Sequence, residues 1–219
     1  MGSSNGYTES VRRLMALFGK LPGVGSRSAE RMAFHILKSS PEEALALADA
    51  IRDVKEHVHH CKVCFHLTEG EICNVCADAG RDHGIVCVVE QPKDLLQLET
   101  TGIFKGVYHV LLGRIAALEG VGPEELTIVQ LVERIKASHE AAVEGVVAIR
   151  EVILATNPTM EGDGTSLYLQ NELGQLGVSI TRLARGLPAG AQIEYSNKAI
   201  LADALTGRVK VRGGMTTLE

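Results

Sequence analysis

CKVCFHLTEGEICNVC, residues 61–76, carries four of the chain's five cysteines as two C-x-x-C pairs. Thiolates three residues apart can grip one ion from a tight turn, and a second such turn completes a tetrahedron. Zinc suits four sulfurs because it binds them without redox chemistry. Two disulfides are the alternative. The opening residues MGSSNGYTES lack an apolar signal core, and disulfides belong to oxidising compartments. The spacing therefore predicts a structural Zn2+ on Cys61, Cys64, Cys73 and Cys76, with no coordination position left for catalysis. His57, His59, His60 and His66 flank the pairs; one of them could replace a cysteine, but four thiolates suffice. The fifth cysteine, Cys87 in GIVCVVE, reads as a small buried hydrophobe in a strand.

The residues leading into this knuckle are helical. From Thr8 as cap, Val11, Leu14, Met15 and Phe18 fall on one helix face. The pattern stops at Leu21-Pro22-Gly23-Val24-Gly25. Ser26 is then expected to cap a second helix, SRSAERMAFHILK, with Ala29, Met32, Ala33, Ile36 and Leu37 inward. Two helices joined by a short P-G-x-G turn form a helix-hairpin-helix. Its glycines leave amides bare at the positive end of the second helix, a cradle for an anion such as a DNA phosphate. Residues 1–40 carry six Lys/Arg against two acids. Arg27 and Arg31, one turn apart, are the candidate phosphate contacts beside the Gly23 and Gly25 amides. The competing reading is a plain turn between packing helices with solvated arginines. A third helix starts at Ser40, with Pro41 in its first turn and Glu43 closing a capping box.

Composition narrows the function classes. The 219 residues set one or two domains, and 45% apolar content provides for a core. A net charge of -5 excludes polyanion binding by bulk charge, so DNA contact requires a local patch. Tryptophan is absent and aromatics make up 4%, which leaves little surface for stacking bases. No apolar run approaches the ~18 residues of a spanning helix. The expected location is the cytoplasm, with no membrane partner.

Beyond residue 84 the texture alternates. Apolar strands at 85–90, 106–113, 150–158 and 178–184 are separated by helical stretches in PKDLLQLET, GPEELTIVQLVERIKASHEAA and GDGTSLYLQNELGQLG. That order predicts βαβ units and a parallel sheet covered on both faces. Functional groups gather at the carboxyl ends of such strands. Glu90 ends the first strand, with Asp94 close behind, and Glu161 and Asp163 lie in the loop after the third. A lone acid beside an acid-x-acid pair fits Mg2+, although acids also favour helix N-termini through the dipole. The chain closes with a turn at Pro188–Gly190, a short strand QIEY, a helix KAILADALTGR and a basic tail expected to be mobile.

In order, LPGVGSRSAERMAFHIL, the cysteine knuckle, RDHGIVCVVEQPKDLLQLE, YHVL, EGVGPE, EVILATNPTMEGDGTSLYL and IEYSNKAILADALTGR resemble the RecR family of bacterial recombination mediators, from about residue 8 to residue 212. The resemblance implies an α/β fold: an N-terminal helix-hairpin-helix (1–55), a four-cysteine zinc finger (56–78), a Toprim domain with a parallel sheet (79–180) and a short C-terminal αβ segment (181–219). It implies no enzymatic activity, but DNA binding on single-stranded, gapped or duplex DNA at the nucleoid. It also implies a dimeric or tetrameric ring that acts with RecO and RecF to help load RecA onto strands coated by single-strand-binding protein. The zinc ligands fall on Cys61, Cys64, Cys73 and Cys76, and the DNA contacts on Arg27 and Arg31. The Toprim acids fall on Glu90, Glu161 and Asp163, a surface associated in the family with RecO. The chain departs from the family at Leu112 (usually histidine), Gly164 (usually alanine), Asn197 (usually an acid) and in a longer stretch around 137–150.

The alternative function is a Toprim nuclease or strand-transfer enzyme holding Mg2+ on Glu90, Glu161 and Asp163, with His109 as candidate base. Tyr108 and Tyr168 read as a strand residue and a helix residue, not nucleophiles. A nucleotide switch is disfavoured, because the chain has no G-x-x-x-x-G-K-[ST] loop.

Overall fold

The computed structural model describes residues 6–141 and 147–209. Residues 1–5 of the polar start, residues 142–146 of the longer stretch before the third strand, and most of the basic tail lie outside the described residues. The chain divides into two compact units, Met1–Val58 and His59–Glu219.

The first unit holds three helices: α1 (Glu9–Phe18), α2 (Ser26–Lys38) and α3 (Pro41–His57). Gly23 takes the left-handed conformation (φ 78°) that the tight turn demands. Gly25, not Ser26, is the N-cap of α2, and Ser26 is already helical. Thr8 precedes α1 as expected but makes no side-chain cap bond. At α3 the capping box forms in full. The Glu43 amide donates to Ser40 Oγ at 3.2 Å, and the Ser40 amide to the Glu43 carboxylate at 3.3 Å. Of the inward set expected on α2, Ala29 and Ala33 are buried, whereas Met32 and Leu37 are exposed. Period alone marks a face, but this unit has too little mass to cover the wide stripe.

In the second unit, β1 (His59–His60) and β2 (Leu67–Thr68) pair antiparallel around the first cysteine turn, and α4 (Asn74–Ala77) follows the third cysteine. The α/β part runs β3 (Asp82–Val89), α5 (Pro92–Glu99), β4 (Gly106–Val110), α6 (Ile128–Ala141), β5 (Glu151–Leu154), α7 (Met160–Leu173), β6 (Ser179–Arg182) and α8 (Lys198–Thr206). The sheet is parallel, in the order β4-β3-β5-β6. Strand alternation sends Val86, Val88, Val107, Val152 and Leu154 to one face, where α6 (Ile128, Leu131, Ile135) and α7 (Leu169, Leu173) cover them. Cys87, Val89, Tyr108 and Val110 go to the other face, under Leu95 of α5 and the knuckle's Phe65 and Val75. Each fully buried aliphatic side chain contributes about 1.5–3 kcal/mol, more than the ~1 kcal/mol of a helix cap, so this layered packing outweighs local propensity.

Two expectations for the last part of the chain change. The last strand, β6, is an edge with Ser179, Thr181 and Arg182 exposed and only Ile180 half-buried, not a strand covered on both faces. QIEY is no strand: Ile193–Tyr195 form a single 3-10 turn. The C-terminal helix α8 starts at an Asn197 cap, whose Oδ1 accepts from the Ile200 amide at 2.9 Å.

Candidate metal centre and nucleic-acid interface

The knuckle is built around sulfur. The ligand atoms of Cys61, Cys64, Cys73 and Cys76 all lie within 4.8 Å of one another, and the Sγ atoms of Cys64 and Cys73 are 3.5 Å apart. Four sulfurs held at about 2.3 Å from one zinc stand about 3.8 Å apart, so the set fits the ion. No disulfide joins them. The protein already supplies what thiolates need: the amides of Cys73 and Val63 point at Cys61 Sγ, at 3.3 and 3.5 Å. Burial pushes the Cys61 thiol up, but backbone hydrogen bonds from Cys73, Cys64 and Val63 outweigh it and bring it down to about 7. The hydrogen bond with Cys76, then burial, holds the Cys64 thiol far above the ordinary range; burial first pushes Cys73 up to about 11. Packed this closely, four sulfurs cannot all ionise unless a cation sits among them. When bound, Zn2+ supplies that charge and cross-links both turns; with four ligands it offers no open position. His59 and His60 turn instead to the Gly70 and Phe65 carbonyls, at 3.0 Å each. Cys87 is a buried hydrophobe, pushed up to about 12 by burial.

The knuckle is fused to the sheet. The Val110 amide donates to the Cys64 carbonyl at 2.8 Å. This amide points outward from β4, the edge strand, so the knuckle covers an edge that would otherwise offer free pairing groups. The Phe65 ring packs edge-on against His109 at 5.4 Å. Phe65 and Leu112, one on each side of this junction, both adopt positive φ (63° and 64°), a conformation that bulky residues rarely take.

At the hairpin, Ala29 makes the first helical bond of α2, to the Gly25 carbonyl at 2.9 Å. No side chain caps the amides before it, and no acid occupies the first turn. A Cβ placed on Gly23 or Gly25 would meet nothing within 4 Å, so the approach is open. Arg27 and Arg31 are exposed, and neither forms a salt bridge among the described residues. The nearby Glu30 is occupied by the Tyr7 hydroxyl, which donates to it at 2.6 Å. Bare amides, a helix dipole and two free guanidinium groups therefore share one exposed turn.

The three acids are not assembled into a metal site. Among the described residues, they do not form a cluster with ligand atoms within 4.8 Å of one another, as the cysteines do. Glu90 is buried and accepts from the Asn157 amide and side-chain Nδ2, both at 2.8 Å. Glu161 and Asp163 stand in the first turn of α7, not in the loop before it. Asp163 is gripped by Arg182 and Arg185; Arg185 first, then Arg182, holds its carboxyl below the usual range. Asp94 serves the α5 capping box, accepting from the Gln91 amide at 2.9 Å. His109 is a core residue. Its Nε2 donates to the Thr127 carbonyl at 2.9 Å, and burial, with the charge of Arg134, drives its pKa down to about 3, so it is no accessible base. Tyr108 is equally buried, donates to Glu99 at 2.7 Å, and burial raises its phenol well above the ordinary value. Tyr168, on α7, is half-buried against the sheet core.

The Glu90–Asn157 contact makes a sharp prediction. A Cβ at Gly162 would lie 2.0 Å from the Asn157 carbonyl oxygen and 2.8 Å from Glu90 Oε1. Gly162→Ala is expected to cost about 2 kcal/mol by forcing this backbone apart. At Gly164, two residues on and exposed, a Cβ meets nothing within 4 Å, and Gly164→Ala is expected to gain up to about 1 kcal/mol of helix stability. Urea unfolding of both variants checks the pair; equal midpoints would remove the close approach as an explanation.

Arg182, Arg185, Asn157 and Arg134 escape sequence reading, because their partners lie tens of residues away or are backbone carbonyls. The only local signal is the run TRLAR (181–185), two arginines following a strand.

Three family models match the chain in the order of these parts: RecR helix-hairpin-helix over residues 11–55, RecR four-cysteine zinc finger domain over 58–78, and Toprim domain over 84–184. A recombination protein RecR from Rhodopirellula baltica is 51% identical over 207 residues, covering 94% of this chain and 100% of the relative. Those of Rubrobacter xylanophilus and Myxococcus xanthus are each 48% identical, over 92% and 91% of this chain and 97% of each relative. With each relative matched across nearly its whole length, the chain belongs to the RecR family of recombination proteins.

Proposed function

We propose that this chain is a DNA-binding recombination mediator: a ring-like clamp that works with RecO and RecF to help load RecA onto gapped or single-stranded DNA coated by single-strand-binding protein. It acts in the cytoplasm, at the nucleoid. No helix among the described residues is long and apolar enough to cross a membrane. The observation that carries DNA binding is the open α2 N-terminus with Arg27 and Arg31 unpaired beside Gly23 and Gly25. Phosphate contacts of this kind position a protein on DNA without reading bases.

Self-association is supported by the first unit. Ala29 and Ala33 are its buried apolar residues, while Leu17, Leu21, Met32, Leu37, Leu45, Leu47, Ile51 and Val54 are exposed. No residue of α3 is buried. A helical unit this thinly packed gains stability when a second copy covers the stripe. A dimer or tetramer closed around DNA also explains how a protein of net charge -5 holds a polyanion: each copy adds its own basic turn to the inner surface.

The chain is a mediator and not an enzyme. Glu161 and Asp163 serve as a partner surface for RecO, with the buried Glu90 bracing Asn157 behind it; to hold Mg2+, Asp163 would first have to leave both Arg182 and Arg185. The test is a gel shift with Mg2+ on gapped DNA, as a linear duplex and as a closed circle, followed by removal of the protein. Retarded DNA recovered intact, with the circle resisting a salt challenge that strips the linear form, is the expected result. Nicked product would overturn the non-enzymatic reading, and equal salt sensitivity would overturn the ring.

A further inference from the structure

A zinc ion on four thiolates carries a net charge of -2, and a buried uncompensated charge is costly. Lys62, between the first two cysteines, is exposed and paired with Glu71; a second cation reaches toward the centre from α6. Arg134 Nη1 donates to the Tyr108 carbonyl at 2.7 Å. Tyr108 lies two residues before Val110, whose amide holds the Cys64 carbonyl. The Tyr108 carbonyl and the Val110 amide point the same way from the strand and lie within about 7 Å of each other. The guanidinium is thus pinned on the outer edge of β4 next to the first cysteine turn. Among the described residues it pairs with no carboxylate. Burial disfavours its charge, and the charges that favour it are Cys76, Cys64, Cys61 and Cys73. A half-buried arginine held against a carbonyl with no acidic partner favours an anion nearby, and the cysteine centre lies next to it along this edge.

We propose that Arg134 is the charge-balancing residue of the four-cysteine centre, a positioning residue that keeps the metal-bound sulfurs poorly nucleophilic and the ion slow to leave. This rests on the reading of the four cysteines as a zinc site. In a centre of net charge -2, electron density on sulfur would make it attack an electrophile such as a maleimide: the carbon–sulfur bond forms as the C=C π bond breaks, the neighbouring carbon takes a proton from water, and the sulfur gives up its place on the metal. A fixed cation draws that density back. Residues beyond the ligands tune metal sites in this manner, and their loss costs about tenfold to a hundredfold in affinity.

The experiment uses the full-length zinc-loaded protein with Arg134→Gln and Arg134→Lys, treated with excess N-ethylmaleimide beside a zinc-chelating dye. Zinc release is read by absorbance and cysteine alkylation by intact mass. We expect Arg134→Gln to release zinc and take up label about tenfold faster than wild type, and Arg134→Lys, which keeps the charge without the guanidinium fork, to stay within about threefold. Equal rates in Arg134→Gln and wild type overturn the proposal. A lysine variant as fast as the glutamine variant also overturns it, because the bond to Tyr108 and not the charge would then be what matters. Should Arg134→Gln fail to fold, Arg134→Met, which keeps the side-chain length without the charge, replaces it under the same tenfold expectation, and a rate equal to wild type overturns the proposal. Wild-type protein that carries no zinc at all would fail the reading of the centre itself, a result distinct from any difference between variants.

Discussion

Replacing Arg27 and Arg31 together by alanine lowers affinity for a gapped duplex about tenfold to a hundredfold at moderate salt, whatever the sequence. The reasoning is electrostatic. Both guanidinium groups are exposed and unpaired at the start of α2, where each can displace a condensed counterion from the DNA. Each phosphate that is no longer neutralised flattens the plot of log K against log salt by about 0.9 on duplex and 0.7 on single strands. The slope is therefore the sharper readout: a folding defect lowers the active fraction and leaves the slope alone. Alanine is the better helix former, so α2 survives the change. Arg52→Ala is the control. Its guanidinium already sits on Asp49 at 2.5 Å in α3, and neither affinity nor slope should move. A double variant that binds like wild type at every salt concentration would move DNA recognition away from the hairpin.

What could be read from residues alone follows how local the cause is. The cysteine centre was legible because both halves of a C-x-x-C pair come from one turn, and chemistry then demands that two pairs meet. The α3 capping box was legible for the same reason, since Ser40 and Glu43 satisfy each other. The parallel sheet followed from the alternation of apolar runs and helices. The N-cap of α2 slipped by one residue, because Gly25 and Ser26 both suit the position and the turn geometry decides. Met32 and Leu37 keep the right period but have nothing to pack under. The acids were the hardest. Glu90 at a strand end looks the same whether it awaits a metal or braces Asn157, and nothing near Asp163 announces arginines 19 and 22 residues later. His109 illustrates the same limit: its type fits a general base, while its place on β4 puts it in the core. Sequence thus locates chemically capable side chains, and long-range pairing determines which stay available.

Cys64→Ser is expected to have the largest effect on stability of any single change. Cys64 is fully buried, its sulfur lies 3.5 Å from Cys73, and its carbonyl holds the edge of β4. A hydroxyl does not ionise near neutral pH and so does not replace a thiolate on zinc. The knuckle's apolar core is small, the cysteines with Val63 and Val75 packed against them, and beside it stands only the two-residue β1–β2 pairing and a few surface bonds. Structural zinc contributes about 10–16 kcal/mol in isolated fingers, against about 1 kcal/mol for a hydrogen bond such as Val110 to Cys64. Losing the metal therefore unravels the turns before it disturbs the sheet. The opposite face, with Val86, Val88 and Val152 under α6 and α7, keeps its own packing. A loss of about 3–5 kcal/mol should reach the whole unit, since Phe65 and Val75 also leave the second cluster, and melting should fall by roughly 10 °C. Hydrogen exchange separates this outcome from global unfolding. Residues 59–77 and the Val110 amide should lose protection while Val86 and Val88 retain theirs, and chelation of the wild-type metal should reproduce the pattern. The bared β4 edge should also associate, visible as light scattering that rises with concentration. A Cys64→Ser protein that holds a full equivalent of zinc and exchanges like wild type would show that the centre is not what fastens the knuckle to the sheet.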